Sequence, residues 1–324
     1  MIRKFAGKLK LSLLLLSVLG ILAFPNGRQI KNSPEGSYIV DAWNADTGLP
    51  QNSVLAIRQA EDGYLWIATF GGLARFDGIN FTTLNLRSLP SRIGGQVSIL
   101  DTLSGNRLLL GTDRGEVLIL KDSQVTTFDS QKVLGEVIIQ GIFGDPALKT
   151  WITTESGAWV MKDGLISEAR LPEGAGSGQA VKVFKGWGER IWLVAPDNRM
   201  ICLDDDRTVL SLAPPPGWPA RQVTWVWEES AGRLWIGTES HGLYKWEDGQ
   251  WNPFLPDTIL EGLNIIKAVK DASGVLWIGT AGQGLFAVVQ DRILDFSVFD
   301  ALAGEEMEDL FIDREGSVWI LPGR

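Results

Sequence analysis

A chain of 324 residues with a net charge of −9 at neutral pH is long enough for one large domain or two smaller ones. The acidic balance argues against nucleic acid or an anionic membrane surface as a partner. The single cysteine, Cys202, and the single histidine, His241, exclude a disulfide framework and a zinc cluster of Cys and His ligands. We therefore expect neither a metal nor a cofactor. The 37 glycines and 14 tryptophans indicate many turns and a repeated structural use of tryptophan.

The first predicted element is an export signal. A basic segment at 1–10 precedes the apolar run LSLLLLSVLGILAF at 11–24. As a helix this run would span about 21 Å, which is less than the roughly 30 Å core of a bilayer. The pattern is typical of a secretory signal peptide, with an uncleaved signal anchor as the alternative. We predict a signal at 1–24, a linker at 25–36 and an exported, periplasmic or extracytoplasmic chain that contacts the membrane only if the signal stays uncleaved.

The remainder of the chain repeats with a period of about 42 residues. A short apolar segment recurs seven times, and the gaps between its central anchor residues are 43, 42, 41, 43, 42 and 42 residues. Turn residues, mostly Gly and Asp, divide each repeat into four short stretches with strand character, such as 54–59, 64–69, 73–76 and 80–84. The anchors are Trp66, Leu109, Trp151, Trp192, Trp235, Trp277 and Trp319.

This period predicts an all-β fold, a seven-bladed β-propeller of four-stranded antiparallel blades at 37–324. Each anchor lies on the second strand of its blade, where we expect it to pack between neighbouring blades. The last repeat contains only its first two strands, at 307–313 and 317–321. We expect the N-terminal strand at 37–44 to close this blade, which would then remain one strand short and leave an open edge.

The first repeat resembles the two-component regulator propeller repeat. The resemblance is carried by DTGLPQNSV at 46–54, QAEDGYLWIAT at 59–69 and GLARFDG at 72–78. The fifth and sixth repeats match well, the seventh in part, and the second to fourth weakly. The resemblance implies the extracytoplasmic sensor region of a bacterial signal-transduction protein, in which a membrane span and a histidine kinase or other output domain follow the propeller. Some such regions sense glycans. The 324 residues contain no kinase or output segment, so only the sensor architecture is carried over.

No catalytic constellation is evident in the sequence. His241 directly follows Ser240, and neighbouring loop residues rarely form a nucleophile–base pair. The acidic run at 204–206 lacks the alternating spacing of a calcium loop. We predict a protein that is not an enzyme. A glycan-active propeller enzyme and a purely structural protein-interaction propeller are the alternatives.

We expect a ligand to bind where the loops between blades (d–a) and between second and third strands (b–c) emerge, because these loops are longer and more varied than the other turns. Trp218 lies in such a loop, within PPPGWP at 214–219. Trp225 and Trp227 share one face of a strand and either pack between blades or bind a sugar. The partner is an unidentified small molecule or oligosaccharide, or a protein. The predicted ligand-binding residues are Gln51, Asn52, Phe70, Arg92, Arg114, Glu155, Trp218, Glu239 and His241.

Overall fold

A computed structural model describes residues 8–14, 28–33, 36–86, 93–145, 149–173, 175, 182–219, 222–296 and 307–322. Arg92 and most of the predicted signal lie outside these residues.

The described chain is almost entirely β-structure, with one 3₁₀ turn (Ala45–Thr47) and one short helix, α1 (Gln131–Leu134). Its strands are β1 (Lys8–Leu14), β2 (Arg28–Ser33), β3 (Gly36–Trp43), β4 (Val54–Gln59), β5 (Leu65–Thr69), β6 (Gly72–Phe76), β7 (Phe81–Leu84), β8 (Val97–Leu103), β9 (Arg107–Thr112), β10 (Val117–Lys121), β11 (Gln124–Phe128), β12 (Ile139–Asp145), β13 (Lys149–Thr154), β14 (Gly157–Lys162), β15 (Leu165–Glu168), β16 (Lys182–Lys185), β17 (Ile191–Val194), β18 (Met200–Asp204), β19 (Arg207–Leu212), β20 (Val223–Ser230), β21 (Arg233–Thr238), β22 (Leu243–Glu247), β23 (Gln250–Pro253), β24 (Ile265–Lys270), β25 (Leu276–Thr280), β26 (Leu285–Val289), β27 (Arg292–Asp295), β28 (Met307–Ile312) and β29 (Val318–Pro322).

Six sheets have the form predicted for propeller blades. Each consists of four strands that are consecutive in sequence and neighbours in the sheet, and they are β4–β7, β8–β11, β12–β15, β16–β19, β20–β23 and β24–β27. We call these the first to sixth blades. The strands of the first blade begin and end within one residue of the predicted bounds. The fold is thus a β-propeller of four-stranded antiparallel blades.

The seventh sheet departs from the predicted last blade, in which two C-terminal strands are closed by the N-terminal strand at 37–44. It has five strands in the order β2-β3-β1-β29-β28. The N-terminal strand β3 joins this sheet, as expected, but β1 from the predicted signal lies between β3 and β29 and runs parallel to both. Strand β2 lies in the predicted linker. The physical reason is that β29 presents an unpaired edge, with which an apolar segment can form backbone hydrogen bonds.

Side-chain packing nevertheless links the N-terminal strand to the last repeat. The ring of Trp43, at the end of β3, stacks on the anchor Trp319 with ring centroids 5.2 Å apart. Trp43 also meets Phe76 of the first blade edge to face at 5.5 Å. The expected contact of 37–44 with the last repeat is therefore made through this indole pair.

The chain divides into two compact units. The first comprises Met1–Asp113, Val117–Thr127 and Ala268–Arg324, and the second comprises Arg114–Glu116 and Phe128–Lys267. In the first unit, apolar clusters lie between the first and second blades, between the first blade and the seventh sheet, and between the sixth blade and the seventh sheet. In the second unit, they lie between the third and fourth blades and between the fourth and fifth blades. Within the described part of the chain, no helix has the length and apolar character needed to cross a membrane.

The anchors lie on the second strand of each repeat and pack against neighbouring side chains. Six of the seven are at most 4% exposed, whereas Trp66 is half-buried. Burial of an indole N–H requires an acceptor. In three repeats the acceptor is a carboxylate six residues before the anchor, at 3.2 Å in two cases and 2.9 Å in the third. These pairs are Trp235 with Glu229, Trp277 with Asp271, and Trp319 with Asp313.

In the fourth blade, the acceptor for the buried indole N–H of the anchor comes from another blade. Gly186 occupies the position six residues before Trp192, and the indole Nε1 of Trp192 donates to Glu228 Oε2 of the fifth blade at 2.9 Å. A Cβ at position 186 would lie 2.7 Å from that carboxylate oxygen. The missing side chain of Gly186 therefore leaves the space that Glu228 fills.

Candidate functional site

A buried asparagine fixes the end of the proline-rich loop between the fourth and fifth blades. Asn198 is fully buried and has a φ of 65°, which asparagine tolerates better than most residues. Its Nδ2 donates to the carbonyl of Pro219 at 2.6 Å. Its Oδ1 accepts from the backbone N–H of Gln222 at 2.6 Å and of Val223 at 3.2 Å. The loop that carries Trp218 is therefore held at its C-terminal end by three hydrogen bonds to one side chain.

The b–c loop of the fifth blade lies beside this loop and is equally constrained. The hydroxyl of Thr238 donates to the carbonyl of Gly242 at 2.7 Å and accepts from the backbone N–H of His241 at 2.9 Å. The backbone N–H of Glu239 donates to the carbonyl of Gln222 at 2.8 Å. Two loops from different hairpins are thereby joined, and their side chains face a common surface.

Five side chains meet on this surface, and we call them the Trp218 cluster. The indole of Trp218 stacks on the imidazole of His241, with ring centroids 5.3 Å apart, and meets Tyr244 edge to face at 4.9 Å. The Oε1 of Gln222 accepts from Ser240 Oγ at 2.7 Å and from His241 Nδ1 at 3.1 Å. The three rings are half-buried, and Gln222 is buried. The result is an aromatic surface bordered by polar groups.

With Oε1 of Gln222 facing the ring, the contact assigns the proton of the imidazole to Nδ1. A carbonyl oxygen only accepts, so His241 Nδ1 must be the donor to Gln222 Oε1. In the neutral form of the ring, a proton on Nδ1 leaves Nε2 as an acceptor. Because Nδ1 is protonated, its 3.1 Å contact with Ser240 Oγ does not place a base beside that hydroxyl. This geometry does not form the nucleophile–base pair that a serine hydrolase needs.

The structure brings together two of the predicted ligand-binding residues, Trp218 and His241. Glu239 is exposed on the same b–c loop, next to the Trp218 cluster. The prediction missed Gln222, Ser240 and Tyr244 as members. The signal that could have found them was their position beside Trp218 and His241 at loop and strand ends, but no side-chain pattern distinguished them from other loop residues.

The other predicted residues are not part of the Trp218 cluster. Glu155 is exposed in the b–c loop of the third blade, and the carbonyl of Arg114 accepts a hydrogen bond from Gln131 Nε2 at 2.9 Å. In the first unit, Asn52 Oδ1 accepts from the backbone N–H of Ala45 at 2.6 Å, which gives it a role in the loop at 45–52.

Gln51 is exposed and Phe70 is half-buried in the same unit, where they remain predictions. Trp225 is buried at 9% exposure, and the half-buried Trp227 stacks on the anchor Trp235 with ring centroids 6.4 Å apart. Across the described residues, no group of three or more His, Cys, Asp or Glu side chains could hold a metal ion.

Comparison with known proteins supports the resemblance found in the first repeat. The family model for the two-component regulator propeller matches residues 48–71. Comparison with curated protein sequences finds no significant match.

Solved structures share the fold at low sequence identity. A streptogramin B lyase is similar with a TM-score of 0.65 and 14% identity over 85% of this chain and 92% of the lyase. The extracellular domain of a hybrid two-component system from B. thetaiotaomicron has a TM-score of 0.62 and 16% identity over 91% of this chain. The extracellular domain of a one-component system from the same organism has a TM-score of 0.61 and 15% identity over 83% of this chain. The chain spans 42% and 37% of these two extracellular-domain structures, respectively.

Proposed function

We propose that this chain, which carries a two-component regulator propeller repeat, is an exported, non-catalytic sensor propeller that binds a hydroxyl-rich ring compound, such as an oligosaccharide, at the Trp218 cluster. The observation that carries the proposal is the half-buried indole of Trp218, packed against an imidazole that contacts Gln222 through Nδ1 and, in its neutral form, offers Nε2 as an acceptor. Stacking on the apolar face of a sugar and acceptance of a hydroxyl proton are the two interactions that such a ligand requires.

Rigidity of the two loops supports binding over a purely structural role. Asn198 holds the Trp218 loop, and Thr238 holds the loop of His241. A ligand that meets a preorganised surface loses less conformational entropy on the protein side than one that must order it. Recognition residues on loops of a rigid scaffold are a common arrangement. The similarity to extracellular domains of two-component regulators is in accord with a sensor role.

The second candidate function is enzymatic. The similarity to a streptogramin B lyase and the hydrogen bond that orients His241 through Nδ1 favour it, because an oriented neutral imidazole can act as a general base through Nε2. The two candidates differ in what happens to a bound ligand. A sensor releases it unchanged, whereas an enzyme converts it.

The experiment is a glycan-binding screen followed by mass spectrometry of the eluted ligand. For the ligand found, Trp218→Ala and His241→Asn should weaken binding by about tenfold each, since each removes one of the two recognition interactions. His241→Gln should retain more affinity than His241→Asn, because the longer amide can place an oxygen near the position of Nε2. Gln283→Ala, at the equivalent loop position of the sixth blade, is the matched control and should bind normally.

Three outcomes would contradict the proposal. Chemical conversion of the ligand by the wild-type protein, lost in His241→Gln, would identify an enzyme. Normal binding by both Trp218→Ala and His241→Asn would place the site elsewhere. The third outcome is that no glycan binds and that a protein partner is captured equally well by the wild type and by Trp218→Ala. This result would support a purely structural interaction propeller.

After removal of the signal, we expect β3 to stay with β28 and β29 in the seventh sheet, held there by the stack of Trp43 on Trp319. Strand β3 runs in the same direction as β29, since β1 is parallel to both, and this is the direction of a fourth strand relative to the second in an antiparallel blade. Removal of residues 1–24 takes β1 from between β3 and β29 and should lower the melting temperature, but by less than deletion of 36–43, which also removes Trp43 from Trp319. The opposite order would assign the larger structural role to the signal segment. Sequencing the N-terminus of the secreted protein tests export.

A further inference from the structure

A cavity of about 350 Å³ lies between the third and fourth blades, at the strand ends opposite those that form the Trp218 cluster. Its apolar lining includes Phe143, Trp151 and Leu203. In the turn 186–188 of the fourth blade, Gly188 lines this space without a side chain, and Trp187, which is 54% exposed, is not among the lining residues. Cavities with an apolar floor and a few polar groups are the usual form of small-ligand sites.

The charges around this cavity favour a cation. The lining contains three cationic and four anionic side chains. Among the cations, Lys149 is paired with Asp206, and Arg190 Nη1 is 3.0 Å from Oε1 of the buried Glu228, directly behind the lining. With that carboxylate included, anionic groups outnumber cationic ones by two, and such a surface concentrates cations.

The protein already places one ammonium group in this environment. The Nζ of Lys149 lies 4.8 Å from the ring centroid of Trp151 while it is paired with Asp206. An aromatic face together with a carboxylate is the arrangement that recognises ammonium groups in general. The Lys149 side chain is 28% exposed and flexible, so a ligand can displace it without disturbing the fold.

We infer that this cavity is a second binding site, for a small ligand that carries an ammonium group on a compact apolar body. The ammonium group takes the place of Lys149 Nζ between Trp151 and Asp206, and the apolar body lies against Phe143 and Leu203. Lys149 is thus an internal competitor that keeps the affinity of the wild-type protein low. This inference is independent of the proposed function, because it uses different residues.

The test is calorimetric titration with 2-phenylethylamine and with its uncharged analogue, 2-phenylethanol. Lys149→Ala should bind the amine about tenfold more tightly than the wild type, because both the competitor and a positive charge are removed. In the Lys149→Ala background, Asp206→Asn should reduce the affinity for the amine by about tenfold. Asparagine tolerates the φ of 64° at position 206, so the turn is retained.

The controls separate this site from the alternatives. Asp248→Asn, a matched change in the corresponding turn of the fifth blade, should leave amine binding unchanged, and so should Trp218→Ala. Equal binding of the alcohol and the amine would overturn the inference. It would also be overturned if Lys149→Ala bound no more tightly than the wild type, or if Asp206→Asn had no effect.

Discussion

The fifth and sixth blades have the same b–c loop but carry different side chains on it. In each, the hydroxyl of a buried threonine, Thr238 or Thr280, donates at 2.7 Å to the carbonyl of a glycine, Gly242 or Gly284. In each, the threonine N–H donates to the same carbonyl, at 3.1 Å and 3.2 Å. This backbone arrangement is therefore the scaffold, and it is independent of the side chains between threonine and glycine.

The side chains that differ between the two blades lie at both ends of the strands. At the loop end, His241 reaches the Trp218 ring, whereas its counterpart in the sixth blade, Gln283, is exposed. Seven residues before the anchor, the fifth blade has the buried Glu228, and the sixth has the exposed Lys270. The comparison teaches that single side chains add a ring contact between loops or a hydrogen bond between blades to a repeat, without changing its strands.

The largest expected effect is loss of the Glu228 carboxylate. It accepts from Trp187 N and Trp192 Nε1 at 2.9 Å each and from Arg190 Nη1 at 3.0 Å. Glu228→Ala should lower the free energy of unfolding by about 3 kcal/mol, because a guanidinium and a buried indole N–H lose their acceptor. Urea denaturation measures this. Lys270→Ala, at the matched position, should change it by less than about 0.5 kcal/mol. Equal effects would remove the proposed distinction between the blades.

The next effect concerns the shared scaffold. Gly242 has a φ of 69°, and a Cβ there would lie 2.3 Å from the carbonyl oxygen of Leu260. Gly242→Ala should therefore cost about 2–3 kcal/mol, since steric overlap with backbone adds to the strain of a positive φ. Gly282 has a φ of 84° with nothing within 4 Å, so Gly282→Ala should cost only about 1 kcal/mol. Thermal unfolding compares the two. A smaller loss for Gly242→Ala would mean that the loop can rearrange.

A smaller effect is expected when the loop side chains themselves are removed. His241→Ala should lower the free energy of unfolding by about 1 kcal/mol, the order of one aromatic contact. Gln283→Ala should leave it unchanged, because the side chain is exposed. Denaturation of both variants at the same protein concentration gives the difference. A loss above about 3 kcal/mol for His241→Ala would make this residue part of the core rather than of a binding surface.

The smallest effect is expected on the reactivity of the Cys202 thiol, whose pKa is influenced by Glu228. Burial, with a further contribution from the Glu228 charge, raises the pKa of Cys202 to about 12. The thiol should stay protonated and unreactive toward a disulfide reagent at pH 8 in the folded protein. Glu228→Gln removes the charge but not the burial, so reactivity should still require unfolding, as measured by labelling with and without urea. Rapid labelling of the folded variant would show that Glu228 closes the space around Cys202.

The sign of the accompanying pH dependence follows from the direction of the shift. The folded state retains the thiol proton above the ordinary value of 9.0, up to about 12, whereas the unfolded state loses it. Cys202 therefore contributes stability that is present below pH 9 and declines as the pH rises toward 12. Relative to the wild type, Cys202→Ala should show a shallower decline in this range.

Much of the fold could be predicted because its signals are local. The anchor spacing and the Gly and Asp turns recur within each repeat, and the strands of the first blade appear where the pattern placed them. The indole–carboxylate spacing of six residues, as in Trp277 with Asp271, is also local and was visible in the sequence. Part of the candidate site was predictable too, since Trp218 and His241 stood out as a loop tryptophan and the single histidine.

The sequence by itself determined the repeat, its strands and its buried anchors, because alternating apolar residues and turn residues specify strands over distances of a few residues. Only the tertiary structure decided that Gln222 orients His241, that Glu228 replaces the missing acceptor beside Gly186, and that β1 pairs with β29. These contacts join residues that are 19 to about 300 positions apart. The partners have no common spacing from one repeat to the next, so only the packing of one sheet or loop against another selects them.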